Sequence, residues 1–344
     1  MSLDSSGISW TDGTMNSLYG CSSCPDGCRR CYAVPRVHRH CMNPRQNTDG
    51  RYDELTRVTK WTIKNGIEKP LKMIFTGRVL FDPKHLYQVL RNKNRKMIFV
   101  NEFSDLFHNA IPMDVIIEHM QVFREAQWHQ FQVLTKRGMR FAEVNDAVLK
   151  ELGEWPENLW MGTSVCRATP LALKRIDQLG ATHAKLKWIS FEPWISDVVT
   201  PLRESVPDLA DRLTRNGIAW IVVGGESGPK DDTDLMTLDD ARYLVESGKA
   251  AGCRTHFKQL GTALAIQLGV YGTGEHRAKG GNEDQWPEDL KIREWPDFIW
   301  APVKDVSGYK PRFDVNAWEH YDVNQKTKGT MTAGLTVVSE TRAS

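Results

Sequence analysis

Short apolar runs rich in β-branched and aromatic residues recur along this chain, and the stretches between them read as helices. Eight runs carry the pattern: residues 8–12, 72–76, 97–101, 131–135, 159–164, 186–191, 219–224 and 254–258. Between them, residues 112–127 place Ile116, Ile117, Met120 and Phe123 at roughly helical spacing, and 238–251 form a second amphipathic stretch. Such alternation predicts an α/β fold, a (β/α)8 TIM-type barrel, whole or partial, with a doubly wound open sheet as the alternative.

Polar residues close nearly every run. They are Thr76-Gly77-Arg78, Asn101-Glu102 followed by Ser104-Asp105, Thr135-Lys136-Arg137, Gly162-Thr163-Ser164, Glu192-Pro193, Gly224-Gly225-Glu226-Ser227 and Lys258-Gln259. Turn chemistry accounts for the glycines, but Arg, Lys and Glu are not preferred turn formers. In a barrel this face builds the active site. Candidate catalytic residues are Glu192, Lys136, Asp105 and His108. Glu192 suits a cationic or hydroxylated group, Lys136, Arg137 and Lys258 a carboxylate or phosphate, and Asp105 and His108 can orient substrate or move a proton. A helix cap explains Ser104-Asp105 almost as well. Candidate cofactor-binding residues are Gly162, Ser164, Gly224, Gly225, Glu226, Ser227 and Lys258, the glycines for close backbone approach and the others for amino, carboxylate or hydroxyl groups.

Four of the seven cysteines, Cys21, Cys24, Cys28 and Cys31, fall within one short Gly/Pro loop after the first run. Without an oxidising compartment, that cluster argues for metal rather than disulfides. Two readings compete. Four thiolates could close a tetrahedral zinc site, although zinc ribbons separate their cysteine pairs by about 15 to 20 residues, whereas here only Pro25, Asp26 and Gly27 intervene. Alternatively Cys21, Cys28 and Cys31 ligate three irons of a [4Fe–4S] cluster, leaving the fourth open to S-adenosyl-L-methionine, with Cys24 a bystander. The second reading makes the chain a radical enzyme that needs an external electron donor. Tyr32, directly after the last cysteine, is then placed to pack near adenine, or else starts a helix as an ordinary core aromatic.

Several motifs in order, Trp10-Thr11-Asp12, Gly20-Cys21 with Pro25 to Tyr32, Ser104-Asp105-Leu106-Phe107-His108, Leu134-Thr135-Lys136-Arg137, Phe191-Glu192-Pro193, Gly224-Gly225-Glu226-Ser227-Gly228 and Phe257-Lys258-Gln259, resemble the phage-associated three-cysteine-motif family. That family is radical-SAM-like and of unassigned function. The resemblance implies a radical S-adenosylmethionine enzyme and places the chain in a phage context. One departure is visible, since Cys24-Pro25-Asp26-Gly27 stands where the family has Ser-Pro-Gly.

Net charge is only +2, yet residues 29–78 hold twelve Lys/Arg against four Asp/Glu. A local excess of that size attracts phosphate-bearing partners, or else marks a solvated helix face. With the phage context it suggests a nucleobase or nucleotide substrate, such as a hypermodified pyrimidine in DNA that is rearranged or decorated. A zinc-stabilised nucleic-acid-binding protein without catalysis is the alternative. A hydrolase with a structural metal ranks last, because no Ser-His-Asp or phosphate-loop motif occurs. No apolar run is long enough to cross a bilayer and the first residues do not read as a signal peptide, so a cytoplasmic protein without membrane contact is expected. The expected organisation is a barrel over 1–260 with the cluster loop at 20–32, an extension over 261–323 packed on it, and a disordered polar tail over 324–344.

Overall fold

The computed structural model describes residues 6–24, 28–64, 67–272, 278–322 and 329–332. The chain opens with strands β1 (Gly13–Met15) and β2 (Leu18–Tyr19), helix α1 (Ala33–Met42), and strands β3 (Thr56–Lys64), β4 (Ile67–Phe75) and β5 (Arg78–Phe81). Strand–helix alternation follows: α2 (Pro83–Arg91), β6 (Met97–Val100), α3 (Met113–Glu125), β7 (Gln130–Thr135), α4 (Phe141–Leu152), β8 (Leu159–Ser164), α5 (Pro170–Gly180) and β9 (Leu186–Trp194). It continues through α6 (Leu202–Ser205), α7 (Leu209–Arg215), β10 (Ile218–Gly225), α8 (Leu238–Ala250), β11 (Arg254–Gln259) and α9 (Thr262–Gln267), and closes with β12 (Ala317–Asp322) and β13 (Gly329–Thr332). Among the described residues no helix is long and apolar enough to cross a membrane.

Seven parallel strands in the order β1-β6-β7-β8-β9-β10-β11 form an open half-barrel, the partial version of the expected TIM-type fold. Two of the eight expected strands need correction. The run at 8–12 is not a strand, because Trp10 turns inward to join a tryptophan cluster and pairing with β6 begins only at Gly13. The run at 72–76 belongs to β4, which pairs antiparallel with β3 in a separate hairpin rather than with the parallel sheet. Of the tail expected from 324 onward, only 329–332 fall within the described residues, and they form β13 on the edge of a small antiparallel sheet, β13-β12-β5-β2.

Side chains alternate across the parallel strands as a period of two requires. The outward set, including Ile98, Val133, Met161, Ile189, Ile221 and Phe257, packs with the helices into the main core. The inward set forms an aromatic floor of Trp10, Phe99, Trp160, Trp188 and Trp220. Trp160 and Trp188 are pinned through indole N–H bonds to Gln130 Oε1 and the Trp160 carbonyl, at 3.0 and 3.1 Å. Above that floor, toward the C-terminal ends of the strands, the interior turns polar.

The eighth wall position is filled by an irregular segment. Residues 292–295 run beside β11: Phe257 N donates to Ile292 O (2.8 Å), Glu294 N donates to Thr255 O (2.9 Å), and His256 bridges Arg293 in antiparallel sense. Trp295 then reaches the far edge, its indole donating to the Trp10 carbonyl at 3.3 Å. Ser9 and His256 meet across the same gap at 3.0 Å. The free edge of β11, which would otherwise expose unpaired backbone groups, is thereby covered.

Candidate functional site

The turns after β1 and β6 are locked to each other by a reciprocal pair of asparagines. Asn101 Oδ1 accepts from Ser17 N (3.0 Å) and Leu18 N (3.3 Å), while Asn16 Oδ1 accepts from Glu102 N (2.7 Å) and Phe103 N (3.2 Å). From this base the chain leaves β2 at Gly20, whose φ of +87° and whose approach to the Arg78 carbonyl, 2.3 Å from where a Cβ would stand, admit no larger residue. Ser104 Oγ donates to Gly20 O at 2.6 Å and Gly77 N to Cys21 O at 3.0 Å. The cysteine loop is thus anchored over the C-terminal ends of the parallel strands.

All described cysteines are free thiols, and Cys21, Cys24, Cys28 and Cys31 are half-buried in this loop. Cys21 and Cys31 rest on a satellite core of Tyr19, Val34, Val37, Leu55, Phe75 and Phe103. Two cations stand beside the thiols. Arg137 donates to Cys21 Sγ (3.7 Å), Ser22 O (2.6 Å) and Ser22 Oγ (3.0 Å), and lies 3.9 Å from Asp105. Burial works against the charge of Lys136, but Cys166, Cys28 and Cys31 together with Asp105 outweigh it and hold the ammonium above its ordinary range. The hydrogen bond from Cys24, with help from Lys136 and Arg137, pulls the Cys28 thiol well below its usual range, while burial and Asp105 push Cys21 up to about 12. Burial raises Cys31 as well, so of the four it is Cys28, beside Lys136 and Arg137, that has the thiolate character metal-binding cysteines use.

Asp105 ties the ends of β6 and β7 together. Its oxygens accept from Thr135 Oγ1 (2.7 Å), Phe107 N (2.9 Å) and Lys136 N (3.1 Å). His108 is fully buried, its Nδ1 accepting from Ala110 N and its Nε2 facing Ser22 Oγ at 2.8 Å. Burial, then Arg137 and Arg140, bring it down to about 3, so the ring is neutral.

On the opposite wall Lys258 and Glu192 form an ion pair, both side chains mostly covered. Gly224 lies against Glu192 and Gln259, since a Cβ there would stand 3.3 Å from Glu192 Cγ and 3.4 Å from Gln259 Cγ. Gly225 faces the other way and is pressed against the Leu260 carbonyl, 2.2 Å from its would-be Cβ. Gly162 gives its space to the Trp188 ring, and Ser164 is buried beside Ser190 with its carbonyl taken by Arg175 Nη1 at 3.1 Å. Ser227 is exposed, and Tyr32 is half-exposed at the start of α1, with the Arg36 guanidinium 5.4 Å from its ring centre. Glu226 is buried and engaged, pairing with Arg30 and accepting from Asp234 N at 2.8 Å.

The geometry therefore gathers Cys21, Cys28, Cys31, Lys136, Asp105 and His108 on one side of the mouth, and Glu192, Lys258, Gly224 and Glu226 on the other. Arg137, expected beside Lys136 to hold a carboxylate or phosphate, joins them, and so do three residues outside the expected set: Arg30, Ser22 and Cys166. Arg30 and Ser22 sit inside the cysteine motif itself, and Arg137 follows Lys136, so their neighbourhood was visible in the sequence. Cys166 gave no signal beyond its place two residues after a strand.

Among the described residues, no three His, Cys, Asp or Glu side chains converge as ligands of a single ion. A cubane distributes its thiolates over separate irons, and the donor chemistry here, soft thiolates in a loop ringed by Lys136 and Arg137, suits that group. Cys21, Cys24, Cys28 and Cys31 are spaced like an iron–sulfur ligand set.

Fold and site together define an α/β half-barrel with a cysteine-rich loop at its mouth, a framework compatible with radical S-adenosylmethionine chemistry. The chain belongs to the family described as "Protein of unknown function (DUF5131)", which matches residues 5–335. No protein with a curated description matches it.

Proposed function

We propose that this protein is a radical S-adenosylmethionine enzyme acting on a nucleobase or nucleotide, and that it rearranges or decorates a modified pyrimidine in phage DNA. The observation that carries the proposal is the cysteine loop, held between Lys136 and Arg137 over the polar end of a half-barrel. Cys21, Cys28 and Cys31 would hold a [4Fe–4S] cluster. When bound, that cluster supplies an electron to S-adenosylmethionine, whose carbon–sulfur bond breaks to leave methionine and a 5′-deoxyadenosyl radical.

The chain's own residues bind, orient and exclude. Arg137 orients Cys21 and Ser22 through one Nη, whose two hydrogens are shared among Cys21 Sγ, Ser22 O and Ser22 Oγ. The Glu192–Lys258 pair offers one carboxylate and one ammonium on the wall facing the loop, a match for the amino acid end of the cofactor or for substrate. Gly224 packs its backbone against Glu192 of that pair, and Glu226 and Ser227 follow it in the chain as candidates for hydroxyl groups. The aromatic floor excludes water from below. His108, neutral and aimed at Ser22, is available to position a proton. The reaction draws on an external electron donor.

A second reading, a zinc-stabilised nucleic-acid-binding protein, is favoured by the fourth thiol, since Cys24 lies half-buried in the same loop and is electrostatically tied to Cys28. Anaerobic purification with iron, sulfide and zinc analysis separates the two, together with an electron-spin spectrum of the reduced protein with and without S-adenosylmethionine. About four irons per chain and a spectrum perturbed by the cofactor are expected; one zinc and no iron overturns the radical reading.

A further inference from the structure

We infer that the β3–β4 hairpin is an arm that lies in the major groove of duplex DNA beside the cysteine loop. Its partner is then a DNA duplex and the target a base within it rather than a free nucleotide, a conclusion that rests on the nucleobase reading above.

The charge argument is sharper in the structure than in the sequence. Of the cations between residues 29 and 78, Arg29 and Arg30 pair with Asp232 and Asp234, Arg36 with Glu102, Arg51 with Asp49 and Asp82, and Arg78 with Glu54. On the hairpin, Arg57, Lys60 and Lys72 are exposed, and among the described residues none has an acidic partner. Lys60 and Lys72 are directly opposed across the two strands. Like charges at that spacing weaken a ribbon, so their placement serves something other than the fold.

Exposure points the same way. Thr59, Lys60 and Trp61 are consecutive and all exposed, at the place where the pairing of the two strands shifts register on either side of Lys60. Trp61 is 52% exposed and Ile63 75% exposed. Helix α1 packs against the base of the ribbon, but Trp61 and Ile63 stand out in water, where large apolar side chains add nothing to the stability of a two-stranded hairpin.

Shape selects the partner. Strands of nine residues each make a ribbon about 30 Å long with its strands about 5 Å apart. The B-form major groove, roughly 12 Å wide, admits such a ribbon, while the deep, narrow groove of A-form RNA does not. Arg57, Lys60 and Lys72 then face phosphates, and Trp61 and Ile63 offer apolar surface to the C5 edge of pyrimidines, where thymine carries its methyl. The arm is rooted at the proposed site. His38 Nδ1 meets Thr56 Oγ1 at 2.9 Å, and Leu55, Met73 and Phe75 belong to the same small core as Cys21 and Cys31. A duplex held there lies next to the loop, and its target base must swing out of the stack to reach the mouth.

The test is fluorescence anisotropy of a labelled 20-base-pair DNA duplex with the full chain over a salt series. The wild type is compared with an Arg57→Gln, Lys60→Gln, Lys72→Gln triple variant and with Trp61→Ala. All four positions are exposed, and circular dichroism checks that the variants fold. The triple variant is expected to bind at least ten-fold more weakly at low salt. Its log–log salt slope should be shallower by about 2 to 3, near 0.9 per phosphate contact removed. Trp61→Ala should weaken binding several-fold with the slope unchanged. Wild-type affinity and slope in the triple variant, equal binding of duplex RNA, or a change in self-association in place of DNA affinity each overturns the arm. Iron content and the S-adenosylmethionine-perturbed spectrum, read on the same triple variant, keep the two proposals apart. A loaded cluster without hairpin-dependent binding defeats the arm alone, and hairpin-dependent binding without a cluster defeats the radical reading alone.

Discussion

Arg30, inside the cysteine motif, reaches Glu226 after β10, so one ion pair spans the side of the mouth on which the half-barrel has no eighth strand. Both side chains are mostly covered, and Arg30 also holds the exposed Asp232. Replacing Arg30 with Met leaves a buried carboxylate with only the Asp234 N–H for company. A loss of about 1–3 kcal/mol is expected. The loop should also become more open to proteolysis between residues 21 and 31, and unchanged cleavage there sinks the latch.

The cysteines divide into ligands and a bystander under the proposed chemistry. Cys21→Ala, Cys28→Ala and Cys31→Ala should each strip iron and sulfide from anaerobically purified protein, whereas Cys24→Ala should keep both. Loss of metal on removing Cys24 instead points to the four-thiolate ion.

The two adjacent glycines after β10 should behave oppositely. A Cβ at Gly225 meets a backbone oxygen at 2.2 Å, which cannot move without shifting β11. Gly225→Ala is expected to cost about 2 kcal/mol or more in urea unfolding. At Gly224 the nearest atoms are side-chain carbons at 3.3 and 3.4 Å. Gly224→Ala should therefore fold normally and show its effect in S-adenosylmethionine affinity, measured by calorimetry. Equal stability of the two variants contradicts this.

Acid should destabilise the fold through buried histidines. His119 is fully buried, donates from Nδ1 to Val115 O at 2.7 Å and takes the Ser17 hydroxyl on Nε2 at 2.7 Å. Burial, against the Val115 bond, brings it down to about 4. Its folded value is depressed, so the unfolded chain binds the extra proton. Stability is full above about pH 6.5 and falls as pH drops toward about 4, by up to roughly 3 kcal/mol. Urea midpoints across that window should fall less steeply in His119→Gln, and an identical slope rejects the assignment.

Much of the half-barrel was legible. Strand β8 coincides with its run at 159–164, and β6, β7, β9, β10 and β11 match theirs to within a few residues, because buried parallel strands are short apolar runs and little else. The two misplaced strands had physical reasons for misleading. Ile8 and Trp10 are apolar because they plug the barrel floor, not because they pair. The run at 72–76 is a true strand, but in its partner, Thr56–Lys64, Val58 falls out of step with Trp61 and Ile63 across a shift of register, which hides the strand period; the Asn65-Gly66 sequence between the two is itself a hairpin signal. Within the candidate site, polar strand ends located the mouth, but partners were invisible. That Glu226 would meet Arg30, or that Gly162 would yield to Trp188, depends on contacts between residues far apart in the chain.

The segment at 292–295 that walls off β11 also sets an order of events during synthesis. When residue 260 has left the ribosome, every parallel strand has been made, yet β11 still has a bare edge and Trp10 lacks Trp295. The support of the cysteine loop through β2 and β5 waits longer still, for β12 at 317–322. The nascent half-barrel is therefore a sticky intermediate whose release from aggregation depends on the last quarter of the chain, and shortened forms ending near 260 belong in inclusion bodies rather than in a functional pool.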